Sequence, residues 1–253
     1  MLFADPSGKS GEPVIEGGKM TIYSKIYFYG GSANNQNAAI AANNIQKQWT
    51  AANGTVTYQG QEYKNVNYVV TYEVVSEQKA QLLAKSNTGE NFDPQVNFAR
   101  VESKKVAGDI PNQVTREKGK AGDNSMFFIA EDIYDGNTSQ SHEYGHALGL
   151  ATHDASFEKG EGRPGIMTTI QSLVEGQYTV NGKPTEIVNN KIVNPLNRDC
   201  RQVTQTDVDR MKITTYSEGI GTGVLVGASS NKLFDAKGNV IGGTAKKIEI
   251  KVQ

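Results

Sequence analysis

Apolar and polar positions alternate along parts of this chain and recur at helical spacing along others, and the switches between the two periods outline its elements. Met20–Tyr29 (MTIYSKIYFY) is largely β-branched or aromatic and partly alternating, which predicts a strand. Over Asn37–Ala52 the apolar residues, Ala41, Ile45 and Trp49 among them, fall near helical spacing, and Gly54 stops the helix. Strands are expected at Val56–Gln59 and Val66–Val75, then a short helix at Gln78–Lys85. Asn87–Asp123 is polar and turn-rich, with one strand near Val96–Val101. Ser125–Ile133 (SMFFIAEDI) predicts a further strand. Asp135-Gly136-Asn137-Thr138 then supplies turn and cap residues for a helix running to about Leu148. This order predicts an α/β or α+β unit.

After Asp154 the pattern loosens. Glu158–Gly165 (EKGEGRPG) reads as a loop, and most of the chain from there to Pro195 as irregular. Gln205–Met211 has helical character with Thr204 as its cap. Residues 218–253 are Gly-rich and then offer short strands, which reads as a β-type extension. At the other end, residues 1–18 are rich in Gly, Ser, Pro and charge and read as a linker. No internal repeat is visible.

Composition narrows the function classes. The chain has 253 residues and a formal net charge of -1, so there is no electrostatic reason to expect a nucleic acid or an anionic membrane as partner. No run approaches the ~18 apolar residues of a membrane helix, so no membrane insertion is expected. The opening MLFADPSGKSGEP carries no apolar stretch of the signal-peptide kind. The single cysteine, Cys200, leaves no internal disulfide and no multi-cysteine zinc site, and an inert thiol is its expected role.

The chemistry concentrates in one place. The chain has three histidines, His142, His146 and His153, all within the stretch SHEYGHALGLATHD. Residues four apart on a helix share a face, about 6 Å along its axis, so His142 and His146 can converge on one Zn²⁺ at about 2.0–2.1 Å each. Glu143, adjacent to His142, points beside such a metal, which suits a general base for an activated water. Gly149 can take the left-handed conformation that ends the helix, turning the chain back and bringing a third histidine within reach.

HEYGHALG followed closely by a histidine resembles the metzincin zinc-peptidase signature HExxHxxGxxH. The resemblance is specific in this segment and coarser over residues 19–217. It implies an α+β fold with a twisted, mostly parallel sheet, a backing helix and the active-site helix. This N-terminal subdomain would run to about residue 154, with a smaller irregular C-terminal subdomain after it and the substrate between the two. The usual spacing puts the third ligand at Thr152, a poor zinc ligand. His153 stands one residue later, where a loop absorbs the shift, and Asp154 is the alternative third ligand or a group supporting His153. Pro164-Gly165-Ile166-Met167 resembles the methionine turn beneath metzincin zinc, with Met167 as its methionine. Thr169 occupies the position where some metzincins carry a tyrosine ligand.

The resemblance further implies an extended protein or peptide substrate along an edge strand. Ser125–Ile133 is expected to be either that edge or the strand just inside it, and residues 168–178 to line the pocket beyond the scissile bond. A second resemblance lies at the start of the chain. FADPSGK is similar to the DP-x-G junction preceding the C-terminal toxin tips of bacterial Rhs/YD-repeat proteins. It implies a toxin domain secreted or delivered out of the producing cell as part of a larger protein, with a cognate immunity protein as a further partner. Two other readings stay open: a non-catalytic binding module that uses zinc structurally, and a zinc amidase acting on a small substrate.

Overall fold

The computed structural model describes residues 11–88, 91–116, 122–150, 162–169, 172–189, 191–218, 221–227, 231–242 and 250–251. Within the stretch read as a linker, Glu12–Glu16 forms a strand, β1, joined to β2 (Lys19–Tyr29) as an antiparallel hairpin with Glu16 opposite Lys19. The two turn residues, Gly17 and Gly18, both have positive φ, which a two-residue hairpin turn of this twist requires. Glycine here is hairpin chemistry rather than linker composition.

β2 is the spine of the sheet. On one edge it pairs in parallel with β3 (Asn67–Val74), from Thr21 opposite Asn67 to Phe28 opposite Val74. On its other edge β1 occupies the first half. The second half pairs in parallel with β4 (Val96–Glu102), Lys25 opposite Val96. Two further strands complete the sheet, β5 (Gln113–Arg116) and β6 (Gly122–Ile129). β6 lies parallel to β4, and β5 closes the edge antiparallel to β6. The fold is therefore α+β, built on a mixed, mostly parallel sheet with few helices. The Ser125–Ile133 segment contributes to β6, just inside the edge. Among the described residues the edge strand, QVTR, pairs with β6 alone, and its polar sequence, common at sheet edges, concealed it.

One face of the sheet carries α1 (Asn35–Ala51) and the other α2 (Glu77–Ser86). The side chain of Asn34 caps α1, accepting the Asn37 N–H at 2.9 Å, and Ala38, Ala41, Ala42, Ile45 and Trp49 form its buried stripe. This is the helical spacing expected from the sequence. The face carrying α1 also carries a third helix, α3 (Ser139–Ala147), which lies against α1, β6 and β5. On the α2 face, Leu233 and Phe234 pack against the sheet, each 2% exposed. There Tyr29 and Arg100 hold Phe234: the Tyr29 hydroxyl accepts its N–H at 2.8 Å, and Arg100 Nη1 donates to its carbonyl at 3.1 Å. No helix among the described residues is long and apolar enough to cross a membrane.

Candidate metal-binding site

All nine residues of α3 are buried, although most are polar. Such a helix needs a partner for each polar group it takes from water, and the partners define the site. At the N-terminus Asn137 Oδ1 accepts the Ser139 N–H at 2.6 Å. Thr138, expected as a cap residue, turns its hydroxyl outward from the helix to the Arg198 carbonyl, at 2.6 Å. In the middle, Trp49 Nε1 donates to the Ser141 carbonyl at 3.1 Å, and the Tyr144 and Ser24 hydroxyls share a bond of 2.6 Å. Trp49 and Tyr144 meet edge to face with centroids 6.0 Å apart. α1 and β2 thus press α3 from behind.

The helix ends as the sequence predicts. Gly149 has φ +96°, its N–H donates to the His146 carbonyl at 3.0 Å, and the Leu150 N–H donates to the Gly145 carbonyl at 3.1 Å. These two bonds make a Schellman motif. The turn has a chemical consequence, because it carries the Leu150 carbonyl to His146 Nδ1, at 2.7 Å. Gly149→Ala puts a Cβ 2.9 Å from that of Lys212 in a left-handed backbone. It is expected to cost ~1–2 kcal/mol of stability, measured by urea denaturation, and to loosen the hold on the His146 ring.

His142 is held in the same way from another direction, with its Nδ1 2.7 Å from the Ile166 carbonyl. Arg201 Nη1 stands 3.0 Å from the same nitrogen. A guanidinium only donates, and Nδ1 cannot give a proton to Ile166 while taking one from Arg201. The shorter contact to Ile166 decides it, since Arg201 Nη1 has the Thr168 carbonyl at 3.2 Å as its own acceptor. Both imidazoles then carry a proton on Nδ1, so that in the neutral ring Nε2 is the lone-pair nitrogen. The two rings stand 5.0 Å apart at 84°. Glu143, between them in sequence, is buried like His142, each 7% exposed.

Met167 lies under this helix. A Cβ on Gly145 would meet the Met167 Sδ at 2.7 Å and Trp49 Cζ2 at 3.2 Å, so a side chain at position 145 would displace the methionine from the helix between the two histidines. The turn bearing Met167 is anchored by Asp207, which is fully buried. Its Oδ2 accepts the Ile166 N–H at 3.3 Å and the Thr204 N–H and hydroxyl at 2.8 Å each. Thr204 and Asp207 also form the capping box of the short helix α4 (Gln205–Asp209).

His142 and His146 are thus the two described side chains that could share a metal ion. His153 and Asp154 lie outside the described residues, as do Glu158 and Glu161. Among the described residues no group of three His, Cys, Asp or Glu side chains gathers in metal-holding geometry. Thr169 bonds the Ser172 hydroxyl at 3.2 Å, and the half-buried Tyr178 is tied through its carbonyl to the Asn197 N–H at 2.8 Å. Cys200 is a half-buried free thiol.

Arg201 is the residue that sequence reasoning missed. It is 5% exposed, and burial pushes its pKa down to about 10, opposed by the negative charge of Glu143. Nothing in its neighbourhood along the chain marks it. Asp207 carried half a signal, since Thr204 was legible as a cap but the reach of Asp207 to Ile166 was not. No protein-family model matches this chain, and neither a curated protein sequence nor a solved structure matches it.

Proposed function

We propose that this chain is a zinc-dependent endopeptidase of metzincin type, with His142 and His146 as ligands, His153 as the third and Glu143 as general base. The observation that carries the reading is the paired orientation of the two imidazoles, each held through Nδ1 by a backbone carbonyl. Imidazoles bound at about 2.0–2.1 Å with a tetrahedral angle between them have ring centres about 5 Å apart, which these two match at 5.0 Å. A carbonyl on the far nitrogen is the usual support of a metal-binding histidine. The packing of Met167 against Gly145 favours the metzincin type over other HExxH sites.

A zinc ion bound there supplies Lewis acidity toward water and the scissile carbonyl. The chain's own residues do the rest. Glu143 accepts the proton of the attacking water and returns it to the leaving amine. Trp49, Tyr144 and Met167 keep the helix from shifting while it does so. The antiparallel edge strand β5, against which α3 lies, offers main-chain groups to an extended peptide. The resemblance of FADPSGK to toxin junctions supports a reading of the domain as part of a larger delivered protein, with an immunity protein as its partner.

Metal analysis and a peptide-library digest test this reading together. One zinc per chain is expected, with cleavage of internal peptide bonds that a chelator abolishes and added zinc restores. Full cleavage by a metal-free preparation would end the proposal. Turnover of small amides with no peptide cleavage would favour an amidase, and zinc without any turnover would favour a binding module.

A further inference from the structure

The chain between Arg201 and Asp207 grips the Met167 turn from both ends. Asp207 takes the N–H of Ile166, Arg201 takes the carbonyl of Thr168, and between them the Gln202 N–H donates to the Pro164 carbonyl at 3.0 Å. Arg201 also reaches the start of α3, where its Nε donates to Thr138 Oγ1 at 3.0 Å and lies 3.4 Å from the Arg198 carbonyl. A single guanidinium therefore spans the residue that opens the helix and the turn that faces it. His142 Nδ1 and its acceptor, the Ile166 carbonyl, lie in the gap.

Burying this cation is costly: the negative charge of Glu143 favours it, but burial outweighs that charge, and the oxygens that take its hydrogen bonds are neutral. A residue serving only to fill space there would be apolar. The planar fork is what a flexible ammonium cannot replace, since it sends donors in fixed directions to two separate segments.

We propose that Arg201 is a positioning residue for His142: it fixes the spacing between α3 and the 166–168 turn, and so keeps the Ile166 carbonyl on Nδ1. The proposal deepens the metallopeptidase reading and rests on it for what His142 binds, though not for how its ring is held.

Arg201→Lys separates geometry from charge, because it keeps the cation and loses the fork. In metal-free wild-type protein, nitrogen-correlated NMR is expected to show a distinct, slowly exchanging Nδ1–H proton for His142. In Arg201→Lys that resonance is expected to be lost to exchange, and zinc affinity, read by chelator competition, to fall ~10–100-fold. A wild-type Nδ1–H resonance in the lysine variant overturns the proposal, as does its absence from the wild type. Should Arg201→Lys not fold, Thr138→Val removes the nearer Nε acceptor, the one on the helix-opening residue, while keeping the side-chain shape, and the same resonance decides. A wild type that takes up no zinc defeats the zinc reading and leaves the NMR comparison to judge Arg201.

Discussion

Glu143→Gln is expected to lower peptide cleavage by ~10²–10⁴-fold, the usual worth of a positioned general base, while zinc stays at one per chain. Glutamine keeps the size of the side chain and its seat on α3, where Glu143 is 7% exposed, but it cannot take a proton from water. The loss should appear equally in kcat and kcat/KM, because the proton transfer belongs to the transition state and not to substrate binding. Cleavage followed by mass spectrometry and metal content measured on the same sample check both halves. A variant that cleaves within a few-fold of the wild type removes Glu143 from the base role. Loss of zinc along with activity makes it a ligand or a structural support instead.

The largest effect on stability is expected at the contact between Met167 and Gly145. Met167 is fully buried, so Met167→Ala should cost ~2–5 kcal/mol. Gly145→Ala alone should also destabilise, by ~1–3 kcal/mol of overpacking, since its methyl would sit 2.7 Å from the Met167 Sδ. Alanine is the better helix former by ~1 kcal/mol, so once the thioether is gone the penalty should shrink. In the Met167→Ala background, Gly145→Ala is expected to cost clearly less than in the wild type, with only the 3.2 Å contact to Trp49 Cζ2 left to oppose it. Urea denaturation of the four proteins of the cycle measures this coupling. Strict additivity would mean that the thioether does not pack under the helix between His142 and His146.

Much of the fold was legible in the sequence. β2, β3, β4, α1 and the short helix α2 follow from local patterns, and in β2 and α1 the face turned to the core repeats in the residues. β1 and β5 escaped for a common reason. Both lie at margins of the sheet, where Glu12, Glu16 and Gln113 are partly or fully exposed, and only their partners β2 and β6 identify them as strands. The short helix at Thr204 was legible through its cap, yet the second task of Asp207, holding Ile166, depends on a fold that brings residue 166 beside residue 207.

The candidate site divides the same way. The sequence by itself determined that His142 and His146 share a helix face, that Glu143 sits beside them, and that Gly149 ends the helix, since each depends only on helix geometry and local backbone freedom. Tertiary structure decided how the histidines are held. The carbonyls of Ile166 and Leu150 set the tautomers, Met167 packs where a side chain on Gly145 would stand, and Arg201 joins the start of α3 to the turn facing it. Backbone carbonyls carry no sequence signal, and a buried arginine reads like a surface one until the chain has folded around it.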